Sequence, residues 1–60
     1  MTVKDLVYKS VSGVDIKVVD INNGNEIIKG TGGYIMNYPD VLMKKVVIID
    51  IEKNEMIIRV

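Results

Sequence analysis

The chain has no His and no Cys. The usual general base, the usual metal ligands and the thiolate nucleophile are therefore missing. Carboxylates, hydroxyls and lysines remain. Thr2, Ser10, Ser12 and Thr31 stand at no spacing that pairs a nucleophile with a base. Five acids, Asp15, Asp20, Asp50, Glu52 and Glu55, could hold Mg²⁺ through oxygen ligands. Such a centre would activate water against a phosphodiester, the chemistry of a metal-dependent nicking enzyme acting on supercoiled DNA. Asp15, Asp20 and Asp50 are its candidate catalytic residues, and Mg²⁺ is the only cofactor that reading requires. The competing role is structural: Asp20 ion-paired with Lys29, and Asp50 with Arg59, across two hairpins.

Lys29-Gly30-Thr31-Gly32-Gly33 concentrates glycine without P-loop spacing and without GxGxxG between a strand and a helix. A bend or a close backbone approach is the expected role. Tyr8, Tyr34 and Tyr38, with Lys4, Lys9 and Lys29, offer stacking and phosphate contacts for nucleic acid. So few rings more often serve packing.

The elements that position these residues follow from pattern. Thr2 and Asp5 are spaced as a capping box, and Val3, Leu6 and Val7 share a helical face. The helix is expected to end at Ser12-Gly13. Asp15 to Ile21 reads as a strand, Asn23-Gly24 as a type I′ turn and Glu26 to Lys29 as the returning strand. A two-residue loop sets Val19 against Ile28 and Val18 against Lys29. Tyr34-Ile35-Met36 extends this strand past the glycines. Pro39 is placed as the first residue of a short helix, with Asp40 at its start and Lys44-Lys45 at its end. Val46-Val47-Ile48-Ile49-Asp50-Ile51 then reads as a strand, Lys53-Asn54 as a turn and Met56 to Val60 as the last strand. Here Ile49 faces Ile58, Asp50 faces Ile57, Ile48 faces Arg59 and Val47 faces Val60.

The hairpins match at a thirty-residue spacing: Val18-Val19-Asp20-Ile21 against Ile48-Ile49-Asp50-Ile51, and Ile27-Ile28-Lys29 against Ile57-Ile58-Arg59. The pattern gives an α+β domain over 1–60, with a four-stranded antiparallel sheet of two hairpins and two short helices on one face. Val19, Ile21, Ile28, Val47, Ile49, Ile51, Met56, Ile58 and Val60 form the expected core under Leu6, Val7, Val41 and Leu42. The opposite face carries Ile16, Val18, Ile27, Val46, Ile48 and Ile57 among Asp20, Lys29, Asp50 and Arg59. It is too apolar for water and too charged for a monomer core. Ile16, Val18, Ile27, Val46, Ile48, Asp50, Ile57 and Arg59 are the expected oligomer interface.

Composition points the same way. Val and Ile make up 20 of 60 residues, with no Ala, Phe or Trp, which favours sheet. A single core in so short a chain supplies about 3–5 kcal/mol, and disulfides are excluded. With 48% of residues hydrophobic, homo-oligomerisation is expected. Eight basic residues balance eight acidic ones, so no net field draws the monomer to DNA. No apolar run reaches the length of a membrane span and no signal-peptide core is present, so a cytoplasmic protein without membrane partners is expected.

Four stretches together resemble small accessory proteins of bacteriophages and mobile elements of gut bacteria. They are Thr2-Val3-Lys4-Asp5-Leu6, Lys29-Gly30, Pro39 with Leu42, and the terminal double-isoleucine strand. This group includes small anti-CRISPR proteins whose sheets resemble single-stranded-DNA-binding coactivator folds. The resemblance implies an oligomeric host-defence antagonist in a bacterial cell that protects DNA from a type II CRISPR nuclease. A purely structural oligomerisation module is the remaining alternative.

Overall fold

A computed structural model describes residues 1–9 and 13–60. Ser10, Ser12 and the helix stop expected at Ser12 lie outside the described residues. The elements in chain order are α1 (Val3–Lys9), β1 (Asp15–Val19), β2 (Glu26–Thr31), α2 (Gly32–Ile35), α3 (Pro39–Leu42), β3 (Ile48–Glu52) and β4 (Glu55–Arg59).

α1 starts where its capping residues predict. Asp5 Oδ2 accepts the Thr2 backbone N–H at 3.0 Å and the Thr2 hydroxyl at 3.3 Å. Val3 and Val7 are buried and Leu6 packs against the same core. The chain start is pinned by the Val3 N–H on the Lys44 carbonyl and the Val46 N–H on the Met1 carbonyl, both 3.0 Å.

The four strands form one sheet in the order β2-β1-β4-β3. The pairs β1–β2 and β3–β4 are antiparallel, but β1 and β4 run parallel, with Val18 beside Ile58. The sheet is therefore mixed, not antiparallel throughout. The ladder continues past the strand ends, where the Val60 N–H donates to Val19 and the Ile21 N–H to Val60, both at 2.9 Å. A hairpin pattern leaves the polarity of its neighbour open. Here the segment 32–47 intervenes between the hairpins, and such a long connection permits a parallel central pair.

Among the described residues there are three helices, not two. The segment expected to prolong β2 turns instead into α2, because Thr31 acts as its N-cap and its hydroxyl accepts the Tyr34 N–H at 3.3 Å. This drives Ile35, fully buried, into the core. α3 begins at Pro39 as expected.

The first hairpin departs from the expected register by one residue. Val18, not Val19, faces Ile28, and a bulge at Ile27 sets Val19 against Glu26. Side-chain acceptors lengthen the loop. Asp20 Oδ1 takes the Asn22 N–H and Asn23 Oδ1 takes the Asn25 N–H, each at 2.8 Å, while the Gly24 N–H returns to the Asp20 carbonyl at 2.7 Å. These Asx turns outcompete a two-residue type I′ turn. Of the two turn residues only Gly24 has positive φ (74°).

A one-residue slip reverses every side chain on the strand. Ile16 and Val18 are accordingly buried beneath the helices, whereas Val19 faces the other way and Ile21 lies exposed in the loop. The second hairpin keeps its register from Ile48–Arg59 to Glu52–Glu55 around Lys53-Asn54. Before it, the Val47 N–H also donates to the Arg59 carbonyl at 2.8 Å, so two residues oppose Arg59. That bulge turns Val46 onto the core and leaves Val47 exposed.

The thirty-residue repeat does not survive this geometry. Val18 is a core residue of a central strand, whereas Ile48 is an exposed residue of an edge strand on the opposite face. Asp20 lies in a loop and Asp50 within a strand.

Candidate functional site

The three candidate catalytic aspartates do not converge. Asp15 opens β1 and Asp20 follows its other end, about 17 Å away along an extended strand. Asp50 sits on β3, with β4 between it and β1. Its carboxylate accepts a hydrogen bond from the Arg59 guanidinium, which is the ion pair expected from sequence. Asp20 does not pair with Lys29: its carboxylate is used by the Asn22 N–H, and Lys29 reaches Glu55 at 3.3 Å. Asp15 and Glu55 are neighbours across the parallel pair, so Lys29 neutralises part of an acidic corner. Among the described residues, no three His, Cys, Asp or Glu side chains are grouped to hold a metal ion.

The tyrosines do not share a sheet face either. Tyr8 lies on α1 beneath the Lys4 ammonium, 5.6 Å from the ring centroid. Tyr34 and Tyr38 belong to the α2–α3 corner, with ring centroids 5.3 Å apart and hydroxyls 3.0 Å apart. The glycine run supplies the close approach expected of it, since the Tyr34 ring packs over Gly30. Sequence reasoning missed this contact. Its only trace is a glycine four residues before an aromatic.

What the strands do assemble is a surface. The helix-free face carries Val19 and Ile57, only 9% and 7% exposed although no helix covers them. Their row neighbours explain this. Arg59 lies beside Val19, and Lys17 and Asp50 flank Ile57, so long charged side chains shield the apolar centre. Ile48 extends the apolar patch outward. Four residues of the sequence-based interface, Ile48, Asp50, Ile57 and Arg59, share this face, whereas Ile27 sits at the β2 bulge without a partner in the register. Ile16, Val18 and Val46 belong to the helix-covered side.

The two sheet edges differ sharply. β2 is guarded: it contains a bulge, Lys29 and Gly30, and α2 folds back against it. β3 is less guarded: it begins at a bulge and carries Asp50 and Glu52, but all five of its residues are exposed, three are isoleucine, and among the described residues no helix packs along it. Ile49 and Ile51 point to the helix side, as the sequence pattern has them. The helix layer stops short of β3, which leaves Ile51 72% exposed.

Comparison with family models, characterised proteins and solved structures finds no match for this chain. No helix among the described residues is long and apolar enough to cross a membrane.

Proposed function

We propose that this chain is an assembling binding module, a homo-oligomer that presents a composite surface to a macromolecular partner. The β3 edge is the observation that carries this reading. An exposed isoleucine-rich edge strand with no Pro, Lys or covering element, and only Asp50 and Glu52 as charges, offers free backbone groups to another strand. The adjacent face, with Val19, Ile48 and Ile57 among ion-paired Asp50 and Arg59, supplies a mixed apolar and charged surface of the kind interfaces use. In keeping with the sequence resemblance, the partner is a component of bacterial host defence, and the protein acts as its antagonist in the host cytoplasm. The balanced charge favours a protein target such as a type II CRISPR nuclease over naked DNA.

Two measurements test this. Sedimentation equilibrium should give a mass well above the 6.7 kDa of one chain; a monomer at every accessible concentration overturns the assembly. A plasmid challenged with a type II CRISPR nuclease should be cut more slowly when the protein is present, and unchanged cutting removes the antagonist role. Relaxed circles formed by the protein alone, only with Mg²⁺, would restore the aspartate-based nicking enzyme in its place.

A further inference from the structure

The turn that shifts the β1–β2 register also carries a reactive pair of residues. We propose that Asn23-Gly24 is a site of spontaneous covalent modification, where loss of ammonia converts Asn23 to aspartate and isoaspartate and loosens the first hairpin.

The chemistry needs an asparagine amide and an unhindered backbone nitrogen on the next residue. The asparagines of the chain are Asn22, Asn23, Asn25, Asn37 and Asn54, and only Asn23 precedes glycine. The others precede Asn, Glu or Tyr, whose side chains crowd the approach. Gly24 leaves it open: its φ is 74°, and a Cβ built there would meet nothing within 4 Å. Residues 21–27 are all exposed, so water reaches the reacting atoms.

Water is the only co-reactant. The Gly24 nitrogen attacks Asn23 Cγ and forms a C–N bond, while the bond from Cγ to the side-chain nitrogen breaks. The departing nitrogen takes the Gly24 proton and leaves as ammonia, and a cyclic imide remains. Water then opens that ring at either carbonyl. Cleavage between Cγ and the Gly24 nitrogen gives aspartate. Cleavage between the Asn23 backbone carbonyl carbon and that nitrogen gives isoaspartate, with the main chain routed through Cβ and Cγ.

Two hydrogen bonds of the turn act on this reaction in opposite senses. The Asn25 N–H donates to Asn23 Oδ1 at 2.8 Å and stabilises the negative charge that builds on that oxygen as nitrogen adds. The Gly24 N–H is held by the Asp20 carbonyl at 2.7 Å, and this bond must open before the proton can leave. The modification therefore waits on fluctuations of the turn.

The two products differ in what they do to the fold. Aspartate keeps a side-chain oxygen where the Asn25 N–H needs it. Isoaspartate adds a methylene to the main chain and displaces that acceptor, so the Asx turn at Asn23 is lost. Both products add a negative charge between Asp20 and Glu26, in a stretch that contains no base. This holds whether or not the chain assembles.

The full chain, aged at mildly alkaline pH, separated by ion exchange and mapped by peptide fragmentation, tests the proposal. Asn23 should be the first asparagine to show the mass of an NH2-to-OH exchange. Asn23→Ser keeps a side-chain acceptor but cannot close the ring, and should yield no acidic product over the same period. The purified isoaspartyl form should melt about 4–8 °C below Asn23→Asp, which carries the same charge, the shift expected for one net hydrogen bond in so small a domain. No product on ageing, an acidic product that persists in Asn23→Ser, or earlier modification at another asparagine overturns the site. Equal melting of the isoaspartyl form and Asn23→Asp overturns the loosening of the hairpin.

Discussion

The Tyr34 ring occupies the space that a side chain at Gly30 would need. A Cβ there would lie 2.5 Å from Tyr34 Cδ2 and 3.1 Å from Cγ. Gly30 pairs with Ile16 in the sheet, and Thr31 caps the turn that folds Tyr34 back over it. The contact thus locks α2 to the end of β2. Gly30→Ala must displace the ring, because the clash reaches down to its root. The expected cost is about 1–3 kcal/mol, the usual penalty of overpacking. In a domain this small, each kcal/mol lowers the melting temperature by about 4–8 °C.

A second readout comes from the hydroxyls. Tyr38 donates to the Tyr34 hydroxyl at 3.0 Å, and that hydrogen bond, with repulsion from Tyr34, holds the Tyr38 pKa above the ordinary tyrosine value. The bond favours the neutral form, since a phenolate cannot donate. Tyr34→Phe should therefore let Tyr38 ionise at lower pH in a phenolate absorbance titration. Gly30→Ala should do the same if it expels the ring. A Tyr38 titration that both variants leave unmoved would show that the hydroxyls do not meet.

The start of α1 contains an acid-sensitive contact. The Thr2 backbone N–H on Asp5 holds the Asp5 carboxyl below its ordinary range, with the Thr2 hydroxyl and nearby positive charges adding to the effect. The folded pKa lies below the unfolded one. The stabilisation is therefore complete above the unfolded value and is lost as pH falls through the lowered folded value. Thermal melts from neutral to strongly acidic pH should show wild type losing its advantage over Asp5→Asn across that window. Parallel curves at all pH values would mean that the capping carboxylate contributes nothing.

Local chemistry was readable from sequence where the signal was short-range. The Thr2–Asp5 cap, Pro39 at the start of α3, the Lys53-Asn54 hairpin with its register, and the Asp50–Arg59 pair all appear in the structure. The failures on β1 have one origin. Asp20 and Asn23 spend their side chains on loop amides, which lengthens the first turn and shifts β1 by one residue. That single slip moved Ile16 and Val18 from the predicted interface to the core and turned Val19 outward. The parallel β1–β4 pair had no local signal at all, because β-branched strands read alike whichever way their neighbours run. The open face was recognised on β3 and β4, where register held.

The shifted register makes a prediction that the unshifted one reverses. In the observed pairing Ile16 is fully buried opposite Gly30, among the residues packed under α1 and α2. With β1 moved by one residue, Ile16 would point away from the helices and its truncation would cost little. Ile16→Ala removes a buried branched side chain and should cost about 2–5 kcal/mol. A core of this size supplies only about 3–5 kcal/mol in total, so the variant should be largely unfolded at room temperature unless assembly rescues it. Ile51→Ala alters a mostly exposed site and should stay within about 0.5 kcal/mol of wild type when compared as monomers. Urea melts of both variants at the same dilute concentration separate these outcomes. Equal midpoints would mean that β1 is paired one residue away from where the Asp20 turn places it.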